Sequence, residues 1–199
     1  MNALSSVFHA DTASRILPVI KERWSPRSFD ASAIPAEDLA TILHAATLAP
    51  SAYNAQPWHF LYAHHADEAG FAKFLEPLVA FNQSWAHNAS VLLYILSREK
   101  MDGPDGPVPN HSHSFDAGAA WAMMALQATE LGYHTHGMTG VDFDAARKIL
   151  QVPEGYRIEA AIAIGRQAPA EHLPEGLRAR EARSDRKPVA EVSTEGPFA

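Results

Sequence analysis

Two short segments of this chain place side chains where they could hold an anion and the edge of a flat ring. The first reads Arg23-Trp24-Ser25-Pro26-Arg27-Ser28-Phe29. Its two guanidiniums flank a hydroxyl. Each offers a planar fork of N–H donors matched to phosphate oxygens, and Ser25 adds a further donor at short range, so the segment suits a phosphomonoester. The same residues also read as a solvated basic turn in which Trp24 and Phe29 anchor the core. The second segment, Ala49-Pro50-Ser51-Ala52-Tyr53-Asn54-Ala55-Gln56-Pro57-Trp58, crowds Ser51, Asn54 and Gln56 between two prolines. These neutral groups both donate and accept, which suits a heteroaromatic edge presenting both kinds of partner. A turn tied by its own side-chain-to-backbone bonds is the plainer account.

The rest of the inventory excludes more than it offers. The chain has no cysteine, which rules out disulfides, thiolate nucleophiles, cysteine-ligated zinc and iron–sulfur clusters. Among its 11 histidines are the pairs His111/His113 and His134/His136. A spacing of two chelates only from an extended segment, and no third ligand of matching logic accompanies either pair, so no metal site is read. His134 or His136 could instead meet a substrate and give it a proton. With 16 Lys and Arg against 23 Asp and Glu, the formal charge is −7, which argues against general nucleic-acid binding by counterion release. Any anion must therefore be met by a local cluster of cations.

These segments need a scaffold, and 47% hydrophobic residues in 199 are enough to bury a core in one domain. Thr12 to Glu22 carries a helix-like apolar set that starts or kinks at Pro18. Pro35 sits as a first-turn residue of a second helix, with Leu39, Ile42, Leu43 and Ala46 on one face and an end near Pro50. Trp58 to Ala63 and Val91 to Ser97 read as strands, the latter buried and central, with helical material from Asp67 to Phe81 between them. Asp102 to Ser114, broken by Gly103, Pro104, Gly106, Pro107 and Pro109, reads as an exposed loop without regular structure. Phe115 to Leu131 is a helix with Trp121, Met124, Ala125, Ala128 and Leu131 on one face and Gly132 as its stop. Trp121, Met123 and Met124 fit helix core or a dimer interface better than a cofactor box. Asp142 caps a helix through Leu150, and Tyr156 to Gly165 reads as another buried strand. Helices outnumber strands without regular alternation, so the fold class is α+β. From Gln167 periodicity fails, and the tail to Ala199 is either loose or wraps a second subunit. The longest apolar run, Val91 to Leu96, is too short to cross a bilayer, and Met1 to Ala13 has no cationic segment followed by an apolar one. A soluble cytoplasmic protein is the expectation.

Five segments then occur in an order that resembles FMN-dependent nitroreductases: the Arg-x-Ser-x-Arg cluster, the Ala-Pro-Ser-x-x-Asn-x-Gln-Pro-Trp loop, Phe81-Asn82 ahead of Ala89-Ser90, Gly137-Met138-Thr139-Gly140, and Arg186-Lys187-Pro188. The resemblance spans Pro18 to about Val192. It implies a nitroreductase-like fold, with a central mixed sheet flanked by helices, forming a single FMN-binding domain over residues 1–199. It also implies an obligate homodimer in which the tail, 167–199, wraps the partner. Arg23, Ser25 and Arg27 match phosphate and ribityl binders, and Arg186, with Lys187 beside it, matches a further phosphate partner from the tail. Pro50, Ser51, Ala52, Asn54 and Gln56 belong to the loop that reaches the flavin of the opposite subunit. Asn82 matches the residue that bonds the pyrimidine edge, and Thr139 and Gly140 match the segment facing the flavin N5. NADH or NADPH would reduce the flavin, which would pass the hydride to a nitroarene, quinone or enone in ping-pong order. No catalytic side chain and no metal are needed, because the chemistry is the cofactor's. One departure is Trp85, which stands where many relatives carry a Lys near the flavin N1 and O2. Losing that cation lowers the reduction potential and keeps open a flavin carrier or sensor without turnover. Ser184 likewise stands where some relatives have a basic residue. Dehalogenation or dehydrogenation on the same scaffold is a third reading.

Overall fold

Two apolar periodicities, two along the strands and near 3.6 along the helices, close around one sheet in a computed structural model that describes residues 12–198. The leader expectation rests on Met1 to Ala13, and its first eleven residues lie outside the described residues. A 3-10 turn (Thr12–Arg15) precedes α1 (Pro18–Glu22), α2 (Ala36–Thr47), β1 (Trp58–His64), α3 (Glu68–Leu75), α4 (Ala80–Ala86) and β2 (Val91–Arg98). Then come β3 (Lys100–Gly103), β4 (Gly106–Pro109), α5 (His113–Glu130), β5 (His134–Met138), α6 (Phe143–Ile149) and β6 (Tyr156–Gly165), with α7 (Glu175–Arg178) and α8 (Val189–Val192) in the tail. Pro18 starts α1, where its missing N–H costs nothing. Pro35 sits one place outside α2, at its N-cap, rather than within the first turn. The Asp67 and Asp142 carboxylates accept from Gly70 N at 3.0 Å and Ala145 N at 2.9 Å, capping α3 and α6. Gly132, at φ +78°, ends α5 in a left-handed turn. The helical material after Asp67 is two helices rather than one, parted at 76–79 around Pro77.

The sheet order is β1-β2-β6-β5, and every neighbouring pair is antiparallel. The mixed sheet expected from the resemblance is therefore corrected. The crossover through α5 brings β5 back in the direction of β2, but β6 inserts between them, so no two adjacent strands run parallel. Along β2 the residues alternate between two cores. Leu92, Tyr94 and Leu96 face Phe29, Trp85 and Met138 on one side, whereas Val91, Leu93 and Ile95 face α2 and α5 on the other. On that second side Ala46, Ala117, Ala120 and Ala128 let α2 and α5 approach closely around Ile42 and Met124, both fully buried. Burying each of those two side chains contributes about 1.5–3 kcal/mol. The β2–β6 ladder slips between Ile95 and Leu96, leaving Glu159 as the extra residue of a bulge.

Two expectations about irregular segments change. The 102–114 stretch is exposed, but most of it is ordered as the β3–β4 hairpin and the first turn of α5. Pro107 and Pro109 are tolerated because both strands of an isolated two-stranded ribbon are edges, and Gly106, at φ +121°, closes the turn. The tail does not leave its own subunit at Gln167. Phe29 bridges Gln167, Ala168 N donates to Ser28 O at 3.0 Å, and Leu173 and Leu177 are buried in the Phe29 core. Residues 182–198 are exposed throughout, the part of the tail that a second subunit could still cover. No helix among the described residues is long and apolar enough to cross a membrane.

Candidate functional site

The segment from Arg23 to Phe29 leaves the C-terminus of α1 without regular structure, and three separate elements hold it. His136 of β5 bonds Pro26 O through Nδ1 at 2.9 Å, Ser28 Oγ donates to Pro169 O at 2.7 Å, and Asp30 N donates to Arg166 O at 3.2 Å. The chain therefore runs between the edge strand β5 and the start of the tail. Its polar side chains open into a cavity of ≈ 730 Å³ walled by Arg23, Ser25, Arg27, His136, Arg180, Arg183 and Arg186, with Ile16, Ile20 and Trp24 as apolar cover. Arg23 Nη1 donates to Ser25 Oγ at 3.3 Å, and Arg183 donates to the free carbonyls of Lys21 and Glu22 at the end of α1 while lying over the Trp24 ring.

None of these five arginines forms an ion pair with a carboxylate among the described residues, and Arg27 Nε is buried without an acceptor. Burial, then Arg186 and Arg183, pushes the Arg23 guanidinium below its usual range. Burial, then Arg180, does the same to Arg27, with Glu181 opposing. The cavity therefore has two cationic poles, Arg23/Arg183/Arg186 and Arg27/Arg180. Burial is also the main cause that depresses His134 and His136, with the arginines adding to it. Concentrating unpaired positive charge in one recess of an acidic chain is costly unless an anion is bound there. The donor set fits a phosphate dianion, since several guanidinium forks and a hydroxyl line one cavity and none of the guanidiniums is in an ion pair among the described residues.

Asn82, Thr139 and Gly140 form a second group. Asn82 Nδ2 donates to Gly140 O at 3.1 Å, and Val79 N donates to the same carbonyl at 3.0 Å. A Cβ on Gly140 would stand 2.6 Å from Asn82 Nδ2, so only glycine permits this approach. Thr139 lines a neighbouring groove of ≈ 470 Å³ with Arg157 and Glu159. This group is not in the wall of the arginine cavity, but Arg180 lies over the ring of Phe81, next to Asn82, at 5.5 Å, and links the two. Lys187, although adjacent to Arg186, is exposed and not part of the wall.

The Pro50 to Gln56 loop is brought to neither group. It sits at the N-terminal end of α5, where Ala52 N donates to Asp116 Oδ2 at 3.1 Å and Ser51 Oγ accepts from Gln56 N at 3.0 Å. Tyr53, Asn54 and Gln56 all hold positive φ, at 54°, 53° and 44°, and Tyr53 is 89% exposed. Non-glycine residues in this region are strained, so the loop is a preformed projection. Trp85, which stands where many relatives carry a Lys, turns its indole inward. It is buried in the core between Phe29, stacked at 6.3 Å, and His136 at 4.7 Å, and its Nε1 has no partner.

Sequence reasoning missed Arg180, Arg183 and Glu181. The signal was present as Arg180-x-x-Arg183-x-x-Arg186, a spacing of three in the tail. It also missed a network on the bulge: Glu159 Oε1 accepts from Ser97 Oγ at 2.5 Å and from Ser114 Oγ at 2.7 Å, and Ser97 Oγ meets His113 Nδ1 at 2.7 Å.

Comparison with known proteins identifies the family and the fold. The model of the nitroreductase family matches residues 20–80 and 64–166. The chain is 28% identical to the Bacillus subtilis protein named "Putative NAD(P)H nitroreductase YodC", over 89% of this chain and 97% of that one. It is 26% identical to the CLA biosynthesis enone reductase of Lactiplantibacillus plantarum, covering 75% and 84%. Among solved structures, an oxidoreductase containing FMN superposes with a TM-score of 0.89 at 48% identity, covering 92% of this chain and 93% of that one.

Proposed function

The chain belongs to the nitroreductase family, and we propose that it is an FMN-dependent oxidoreductase that takes electrons from NADH or NADPH and delivers them to a small, flat, electron-poor acceptor such as a nitroarene, quinone or enone. The single observation that carries this reading is the recess of unpaired arginines beside the Asn82–Gly140 turn. FMN-containing and NAD(P)H-named relatives supply its support from outside the chain. When bound, FMN supplies the two-electron chemistry.

The chain's own residues bind and orient. Arg23, Ser25 and Arg186 would hold the phosphate, whose charge would offset that of the clustered arginines, and Arg27 would extend the cationic wall along the rest of the chain-like part of the cofactor. Asn82 and the Thr139–Gly140 backbone would offer the ring its hydrogen-bonding partners, from a turn in which an added side chain on Gly140 would collide with Asn82 and Val79. Pro50, Ser51, Ala52, Asn54 and Gln56 project from the far end of α5 and cover the ring of a second subunit in a homodimer. Donor and acceptor then share one exposed face in turn, which gives ping-pong kinetics.

The carrier or sensor reading draws on Trp85. The indole adds no cation, but Arg27 and Arg180 stand beside the neighbouring His136 and Phe81, so positive charge close to this position is not lost with the Lys. The test is direct. Purified protein mixed with FMN should become yellow, quench flavin fluorescence and oxidise NADH or NADPH in the presence of a quinone. A sample that takes up no FMN refutes the reading. Uptake without saturable reduction by either nicotinamide in stopped flow leaves the carrier.

A further inference from the structure

Behind the wall of the arginine recess, between Arg180 and Ala182, stands an acid, Glu181, whose carboxylate is hydrogen-bonded to backbone rather than to a guanidinium. Glu181 Oε1 accepts from Arg27 N and Ser28 N, both at 2.9 Å, and Oε2 accepts from Arg27 N at 3.0 Å. Two successive backbone N–H groups thus cradle an anion belonging to the chain itself. No ion pair joins Glu181 to Arg23, Arg27, Arg180, Arg183 or Arg186 among the described residues.

Its place in the tail gives this contact a consequence. Upstream, the tail is fastened by the buried Leu173 and Leu177; downstream, Arg183 bonds the carbonyls of Lys21 and Glu22 from within a run, 182–198, that is exposed throughout. Glu181 lies between Arg180 and Arg183, at the last position where the tail is fastened to the 27–28 backbone. We infer that Glu181 is a positioning residue for the phosphate site, a clasp whose two-oxygen grip on Arg27 N and Ser28 N delivers Arg180, Arg183 and Arg186 to the recess. The inference deepens the flavin reading and rests on it. It also reverses the simple electrostatic expectation. A carboxylate beside a phosphate should weaken binding, and neutralising it should help; for a clasp, neutralising it removes charge-assisted bonds and lets three guanidiniums drift.

The experiment compares FMN with riboflavin, which lacks the phosphate, in wild-type protein, Glu181→Gln and Glu181→Asp. Dissociation constants come from fluorescence quenching at fixed salt, and tryptic cleavage after Arg180, Arg183 and Arg186 is followed in parallel. The clasp requires Glu181→Gln to weaken FMN by roughly tenfold or more, the scale of a lost charged hydrogen bond, while riboflavin changes less than about twofold. It also requires faster tryptic cleavage in Glu181→Gln, and a smaller loss in Glu181→Asp, which keeps the charge on a shorter arm. Tighter FMN binding in Glu181→Gln would show that the carboxylate merely occupies the phosphate's seat. Equal losses for FMN and riboflavin would show a general structural role; either result overturns the clasp. If wild-type protein binds neither flavin, the flavin reading fails by itself. The clasp is then judged by protection from trypsin with inorganic phosphate: protection lost in Glu181→Gln supports it, and protection unchanged overturns it.

Discussion

Replacing Arg23 and Arg186 by alanine, singly and together, probes whether one phosphate is shared by two distant stretches of chain. A charge-assisted hydrogen bond contributes about 1.5–3 kcal/mol, and a half-exposed guanidinium belongs at the low end. Each single replacement should therefore weaken FMN by roughly tenfold to thirtyfold. The two effects should not multiply. Both guanidiniums would share one dianion, so when one is removed the phosphate settles against the other, and the double variant should lose more than the product of the singles. Arg23→Ala with Arg27→Ala provides the comparison, because the charge that most depresses Arg27, after burial, is Arg180. That pair should combine multiplicatively to within about 0.5 kcal/mol. FMN titrations of all six proteins by fluorescence quenching at one ionic strength provide the cycles. Unchanged FMN affinity in Arg23→Ala/Arg27→Ala refutes the site. Multiplicative losses for Arg23/Arg186 refute the two-pole description.

The remaining predictions concern the frame around the recess. Burial lowers the pKa of His134 and His136, so their neutral forms stabilise the fold above about pH 6.5, and that stability is lost as pH falls toward the folded values. Melting temperature should drop below that pH, and the drop should shrink in His134→Gln and His136→Gln. Gly140→Ala should push Asn82 aside and cost about 1–3 kcal/mol by chemical denaturation, together with a weaker FMN affinity. Trp85→Phe should cost only about 1–2 kcal/mol, because it also removes a buried donor with no acceptor. Trp85→Lys should instead fail to fold or melt far lower, since its ammonium would enter the core beside Phe29. A well-folded Trp85→Lys protein with a raised flavin potential would overturn that placement.

Much of the scaffold was legible because it depends on local pattern. The Leu39/Ile42/Ala46 stripe, the Val91 to Ser97 run, the Asp142 cap and the Gly132 stop all appear where their periodicity or backbone chemistry puts them. What failed was non-local. Strand direction depends on where β6 inserts, which no window along the chain reports. The 102–114 stretch misled because prolines that forbid a central strand are acceptable in an isolated ribbon. Arg23, Ser25 and Arg27, picked out by residue type, and Arg186, picked out by the resemblance, line one cavity, whereas the bond from Glu181 to Ser28 spans a distance in sequence that no local pattern reports. Trp85 could be placed by spacing but not oriented, since the sequence does not say that its indole turns inward against His136.

Concentrating arginines in one recess leaves the rest of the surface more acidic than the formal charge of −7. At physiological ionic strength fields fade over about 8 Å, so a mononucleotide entering the recess responds to the guanidiniums alone, while a long polyelectrolyte must also lie across repelling ground. Such a charge distribution favours compact dianions over long polyanions by electrostatics, with no steric gate required.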